Sequence, residues 1–145
     1  MSRFFSGRHA ALTAYVPGEQ PKGQPFIKLN TNEAPFPPPP EVTAALGGAA
    51  KTLNLYSDPE GAKLREKLAG LHGVTPKNIS LGNGSDETLA FIFLAFFDGV
   101  IFPDVTYGLY PVTASLFNIP YTEIPVDGAL AVNVSDYLNA GKNIV

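Results

Sequence analysis

The sequence predicts an α/β fold: an incomplete, mostly parallel sheet with flanking helices, preceded by an extended N-terminal arm. Three observations predict it. Beyond residue 50, short apolar runs alternate with segments of helical period. A glycine-rich turn, "GNGSDET", stands where one such run passes into a helix. Residues 1–40 carry much of the proline, end in "APFPPPP", and hold no sustained period apart from the short "FIKL".

The elements follow in order. Pro37 to Pro40 favours polyproline II, a stiff connector by its composition and, as a lesser reading, an SH3-type ligand. Glu41 to Ala50 is expected as a short helix started by Pro40. In "YSDPEGAKLREKLAGLHG", Asp58 is placed to cap, Pro59 fits the first helical position, and Gly73 ends the helix. Leu64, Leu68 and Leu71 recur at core-facing spacing, leaving Lys63, Arg65, Glu66 and Lys67 mostly to water. "VTPKNISL" leads into a strand, "GNGSDETLAFIFLAFF" into a buried helix, and "GVIF" into a second strand. "TYGLYPVTASLF" reads as a helix, "YTEIPV" as a strand, "SDYLNA" as a short helix, and "KNIV" as the opening of a further strand. A parallel sheet needs both faces covered, so a chain stopping at an apolar strand is expected to be the first part of a longer protein.

Composition narrows the function. With 145 residues, one core is possible; 45% hydrophobic and 16% charged residues place the chain among soluble globular proteins. A formal charge of -3 gives no reason to expect nucleic acid as a partner. The absence of cysteine excludes disulfides, thiolate metal sites and a cysteine nucleophile, and His9 and His72 stand too far apart in sequence to suggest a metal site. The longest apolar stretch, Leu89 to Phe97, is about half of a membrane-spanning helix. The first residues lack a secretory apolar segment, so the expected location is cytoplasmic, with no membrane partner.

"GNGSDET" admits two readings. Structurally, Gly82 and Gly84 permit a sharp turn, Ser85 caps the helix, and Asp86 and Glu87 complement its dipole. Functionally, unpaired amides at the helix tip can bind an anion. No lysine follows a final glycine and no G-x-G-x-x-G is completed, so neither a Walker A loop nor a dinucleotide fingerprint is present. A phosphate held by the amides of Gly84, Ser85 and Asp86 and by the Ser85 hydroxyl remains feasible, provided the Asp86 carboxylate points away.

Four stretches, "KLNTNEAPFPPPP", "LYSDPEGAKLREKLA", "LGNGSDETL" and "FPDVTYGLYPV", resemble histidinol-phosphate aminotransferase in their order and spacing. That family consists of pyridoxal 5'-phosphate enzymes of aminotransferase fold type I, and the resemblance runs from Tyr15 to Val145. It implies that residues 1–50 are an N-terminal arm with a small-domain segment, and that 51–145 begin the cofactor-binding large domain. It further implies that Gly84, Ser85 and Asp86 lie at the cofactor phosphate, that Tyr107 stacks on the pyridine ring, and that Tyr56 reaches the phosphate of a neighbouring subunit. Asn32 and Tyr15 resemble substrate-side residues. Ala34 departs from the family's Asn-Glu-Asn-Pro, and the connection from "AFFDG" to "VIFPD" is shorter than in many relatives. On their own residues, Tyr107 reads as a half-buried helix-start tyrosine, Tyr56 as a staple before Asp58, Asn32 as an Asx-turn and Tyr15 as arm packing.

The implied reaction moves an amino group between L-histidinol phosphate and 2-oxoglutarate, in a homodimer. Its cofactor lysine, the acid facing the pyridine nitrogen and the substrate-clamping arginine lie beyond residue 145 in the family. Lys142 sits in a "GKN" turn and matches no cofactor-lysine motif, so this chain holds no catalytic residue and is not expected to act alone. Two alternatives stay open: another aminotransferase or a threonine-phosphate decarboxylase of the same fold, and a non-catalytic phosphate-binding or interaction module.

Overall fold

The structure, a computed structural model, describes residues 3–4, 6–9, 12–23 and 26–145. The chain forms two compact units, one made of Met1–Val16 with Gly82–Val145 and the other of Pro17–Leu81.

In the unit Pro17–Leu81, α1 (Pro40–Ala49) starts at Pro40, whose missing N–H belongs to the first turn where no intrahelical partner exists. The "FIKL" segment forms no strand. Helix α2 (Ala62–His72) begins later than the sequence suggests. The Asp58 carboxylate does serve its N-terminus, accepting the N–H of Ala62 at 2.8 Å and of Glu60 at 3.0 Å, but Gly61 stands at the cap with φ 55° and Pro59 lies in the preceding turn. Those amides hold the Asp58 carboxyl below the usual range. Gly73, with φ 66°, ends α2 as expected.

Three expectations for this unit fail. Leu64 and Leu71 are 53% and 77% exposed, and Ala69 is the buried residue of α2. Arg65, expected in water, is half-buried: Nη2 and Nε donate to the Pro76 carbonyl at 3.0 and 3.2 Å, tying α2 to the 3-10 turn Pro76–Asn78. The leucine stripe outruns what so short a packing partner can cover. The strand expected at "NISL" is also missing. Ile79 is extended, at φ -107° and ψ 123°, yet no strand pairs with it among the described residues. Extended backbone becomes a strand only when a neighbour takes its N–H and C=O groups.

The other unit contains α3 (Ser85–Phe96), β1 (Val100–Pro103), α4 (Leu109–Leu116), β2 (Tyr121–Ile124), α5 (Val134–Leu138) and β3 (Asn143–Ile144). The strands form a sheet of order β2-β1-β3, parallel throughout, with Val100 opposite both Tyr121 and Asn143. Central β1 is a continuous apolar run because it is covered on both faces, and Val100, Ile101 and Phe102 are all buried. Phe93 of α3 and Ala114 of α4 pack on Val100 and Phe102, with Phe97, Tyr110, Phe117 and Ile119 around them. Edge strand β2 is mostly exposed.

Helix α3 is not the buried helix its composition suggests. Phe93 is fully covered, but Phe91, Leu94 and Phe96 are 58%, 61% and 70% exposed, because the small sheet lies against one side only. At the end of α4, Asn118 takes the left-handed conformation (φ 57°) and the Ile119 N–H closes on the Ala114 carbonyl at 2.8 Å. Asn118→Ala is therefore expected to destabilise this unit by about 1 kcal/mol, with Asn118→Gly neutral or stabilising, as read from urea midpoints.

From β1 the chain crosses to β2 on one side and returns to β3 on the other. The strand order thus reverses beside the C-terminal end of β1, the place where open α/β sheets form a binding crevice. The loop carrying Tyr107 starts there.

Candidate functional site

The tip of α3 is shaped by its glycines. Gly84 has φ 87° and ψ 177°, a combination essentially reserved for glycine, and it occupies the cap. Ser85 is consequently the first helical residue, not the cap, and its side chain makes no capping bond. Glu87 curls back so that Oε2 accepts the Asn83 N–H at 2.6 Å, while Thr88 Oγ1 donates to the Gly84 carbonyl at 3.1 Å. A Cβ on Gly82 would fall 2.6 Å from that Thr88 oxygen. Among the described residues, the amides of Gly84, Ser85 and Asp86 and the Ser85 hydroxyl take no partner, and all three residues are exposed. Unpaired donors at the positive end of a helix dipole are the kind of arrangement that attracts an anion.

Asp86, the second residue of α3, has its carboxylate engaged. Tyr107 donates its hydroxyl to Asp86 Oδ1 at 3.0 Å. The Tyr107 ring meets Tyr15 at 5.9 Å and 73°, and Tyr110 at 5.7 Å and 85°. Tyr110 in turn packs on buried Phe102, which connects the aromatic cluster to the sheet. Hydrogen bonding with Tyr15, then with the Asp86 carboxylate, pushes the Tyr107 phenol up to about 12. A phenol raised in the folded state stabilises the fold fully below its ordinary value near 10, and that contribution is lost as pH climbs toward 12. Alkaline titration of tyrosine absorbance should accordingly show its latest step at Tyr107, beyond Tyr137, whose phenol burial also raises, and that latest step should disappear in Tyr107→Phe.

The structure brings Gly84, Ser85, Asp86, Tyr107 and Tyr15 into one neighbourhood. Tyr110 joins them and was not singled out from sequence; its spacing of three from Tyr107 was the available signal. Asn32 and Tyr56 belong to the unit Pro17–Leu81. Asn32 is left-handed (φ 52°) beside Thr31 (φ 62°), in a loop where Lys28 Nζ donates to Thr31 Oγ1 at 2.9 Å and pairs with Glu33. Tyr56 is fully exposed, which excludes its reading as a staple. The same unit has a groove of about 310 Å³ bounded by Glu19, Lys28 and Asn30. Lys142 donates to Thr122 Oγ1 at 3.1 Å just before β3, at the N-terminal end of the parallel strands, whereas the Tyr107 loop leaves the C-terminal end of β1. Among the described residues, no cluster of acids and histidines could hold a metal, and no helix is long and apolar enough to cross a membrane.

No profile of a known protein family matches the chain. Curated proteins do match it. Over 148 residues it is 46% identical to histidinol-phosphate aminotransferase 1 of Bradyrhizobium diazoefficiens, spanning 100% of this chain and 42% of that protein. By sequence, the chain belongs to the histidinol-phosphate aminotransferase family. Histidinol-phosphate aminotransferase 2 of Thiobacillus denitrificans is 49% identical over 141 residues, covering 94% of this chain and 40% of that protein. The histidinol-phosphate aminotransferase of Brachyspira hyodysenteriae is 42% identical over 148 residues, with 99% and 42% covered. The chain thus spans less than half the length of these histidinol-phosphate aminotransferases. Its parallel sheet with flanking helices is consistent with part of an aminotransferase fold.

Proposed function

We propose that this chain is the N-terminal portion of a pyridoxal-phosphate-dependent enzyme that moves an amino group between L-histidinol phosphate and 2-oxoglutarate in histidine biosynthesis. The observation that carries the reading is the exposed tip of α3, with three free amides and a free serine hydroxyl beside Tyr107. The donors suit a phosphate, and the Asp86 carboxylate, which would repel one, is turned to the Tyr107 hydroxyl. Pyridoxal 5'-phosphate, bound there, supplies the electron sink and amino-group carrier of transamination.

In this reading Gly84, Ser85 and Asp86 hold the phosphate through their amides, and Ser85 adds its hydroxyl. Tyr107, 40% exposed, offers an aromatic surface to the pyridine ring. Tyr15, against Tyr107, and Asn32 serve the substrate, and Tyr56, free of its own chain, reaches the phosphate site of a second subunit in a cytoplasmic homodimer. Residues 1–50 then form the arm and a small-domain segment, and 51–145 open the cofactor domain. The lysine and arginine that complete the reaction come from protein beyond this chain.

The intact protein, given histidinol phosphate and 2-oxoglutarate, is expected to form glutamate in a cofactor-dependent way, faster than with phenylalanine or threonine phosphate. Ser85→Ala should weaken cofactor retention roughly tenfold, the scale of one charge-assisted hydrogen bond. Absence of amino transfer with all three amino compounds would exclude the aminotransferase reading.

A further inference from the structure

We propose that Tyr107 is a positioning residue whose hydrogen bond to the Asp86 carboxylate holds that carboxylate off the tip of α3 and so keeps three amides open to an anion. The proposal rests on the reading of that tip as a phosphate site. Its argument comes from two neighbouring acids with different partners.

A carboxylate in the first turn of a helix is drawn to the unpaired N–H groups around it. Glu87 does this, with Oε2 on the Asn83 N–H at 2.6 Å. Asp86 lies one residue closer to the tip and has a shorter side chain, so left alone it would fold onto the same donors. It does not, because Tyr107, 21 positions further along, donates to Oδ1 at 3.0 Å. Tyr107 is held in turn: its ring lies against Tyr15 and Tyr110, and its backbone carbonyl accepts the Tyr110 N–H at 3.0 Å. Tyr15 and Asp86 are the titratable groups acting on the Tyr107 hydroxyl, and Tyr110 lies against its ring. With its pKa pushed up to about 12, the phenol keeps its proton throughout the physiological range, so the donor of this bond is present there. Without the hydroxyl, Asp86 becomes an internal competitor for phosphate. Tyr107 therefore acts at the anion site through Asp86, independently of any ring stacking.

Calorimetric titration of inorganic phosphate into the intact protein stripped of cofactor tests this. Tyr107→Phe should weaken phosphate binding about fivefold, because the released carboxylate occupies the donors. Adding Asp86→Asn to that variant should restore the affinity, since the amide carries no charge to compete with. Asp86→Asn alone should raise affinity less than it does in the Tyr107→Phe background. If the double variant binds as weakly as Tyr107→Phe, the proposal is overturned while the phosphate site stands. If wild type does not bind phosphate, the reading of the tip itself falls, and the proposal with it. A second readout is independent of phosphate: Asp86→Asn should move the late tyrosine titration toward 10, and an unmoved titration shows that the contact does not exist in solution.

Discussion

Phe102→Ala is expected to cost about 3–5 kcal/mol, a large share of the roughly 5–15 kcal/mol that holds an ordinary domain together. Phe102 has no exposed surface and lies in the central strand. Its ring stacks on Tyr121 at 5.2 Å and tilts against Tyr110 at 5.9 Å. Truncation removes both contacts and leaves a cavity between the sheet and α4 that neighbouring side chains cannot fill. Tyr110 also contacts Tyr107, so the damage should reach the site, and the late tyrosine titration should fall toward its ordinary value even where the variant remains folded. Phe96→Ala, at a residue 70% exposed, should change stability by no more than about 0.5 kcal/mol. Urea unfolding followed by circular dichroism gives both numbers. Equal shifts for the two variants would show that the layer built on Phe102 does not form in solution.

Gly84→Ala should cost about 1–3 kcal/mol and lower phosphate affinity more than tenfold in the intact protein. The cause is backbone and not space. An added Cβ at Gly84 meets nothing within 4 Å, but φ 87° with ψ 177° is closed to an L side chain. The peptide has to rotate, and the amides of residues 84 to 86 then lose their shared direction. Gly47 supplies the internal control. It sits within α1, also with open space around it, and there the same substitution should stabilise by about 0.5–1 kcal/mol. Two substitutions of identical chemistry and opposite sign separate a conformational requirement from a general intolerance of alanine. Were Gly84→Ala to leave phosphate binding intact, the tip of α3 would not be the anion site.

The elements that were legible from sequence are those whose signals are local. Pro40 starts α1, Gly73 stops α2, and the apolar run Val100–Phe102 is the central strand. What misled was anything requiring knowledge of a partner. "NISL" has strand composition, but no neighbour pairs with it among the described residues, so it stays extended coil. Leu64, Leu71 and the outer face of α3 have core composition and no layer covering them. The Asp58 cap was correctly named yet misplaced, because Gly61 adopts a left-handed turn that period counting does not reveal. At the site, glycine composition pointed to the turn, while the bond from Tyr107 to Asp86 spans 21 residues and no spacing rule predicts it. Family resemblance named both residues, and geometry supplied their relation.

The tyrosine cluster next to α3 has an optical consequence. The chain contains six tyrosines and no tryptophan, so its ultraviolet emission comes from phenols alone. Three of them, Tyr15, Tyr107 and Tyr110, are linked through centroid separations of 5.7 and 5.9 Å, close enough for excitation to migrate among them. An absorbing heteroaromatic molecule settling against Tyr107 would drain that shared excitation and darken a large fraction of the total signal. Quenching of these three tyrosines, resolved from any emission of the rest of the intact protein, therefore reports occupancy.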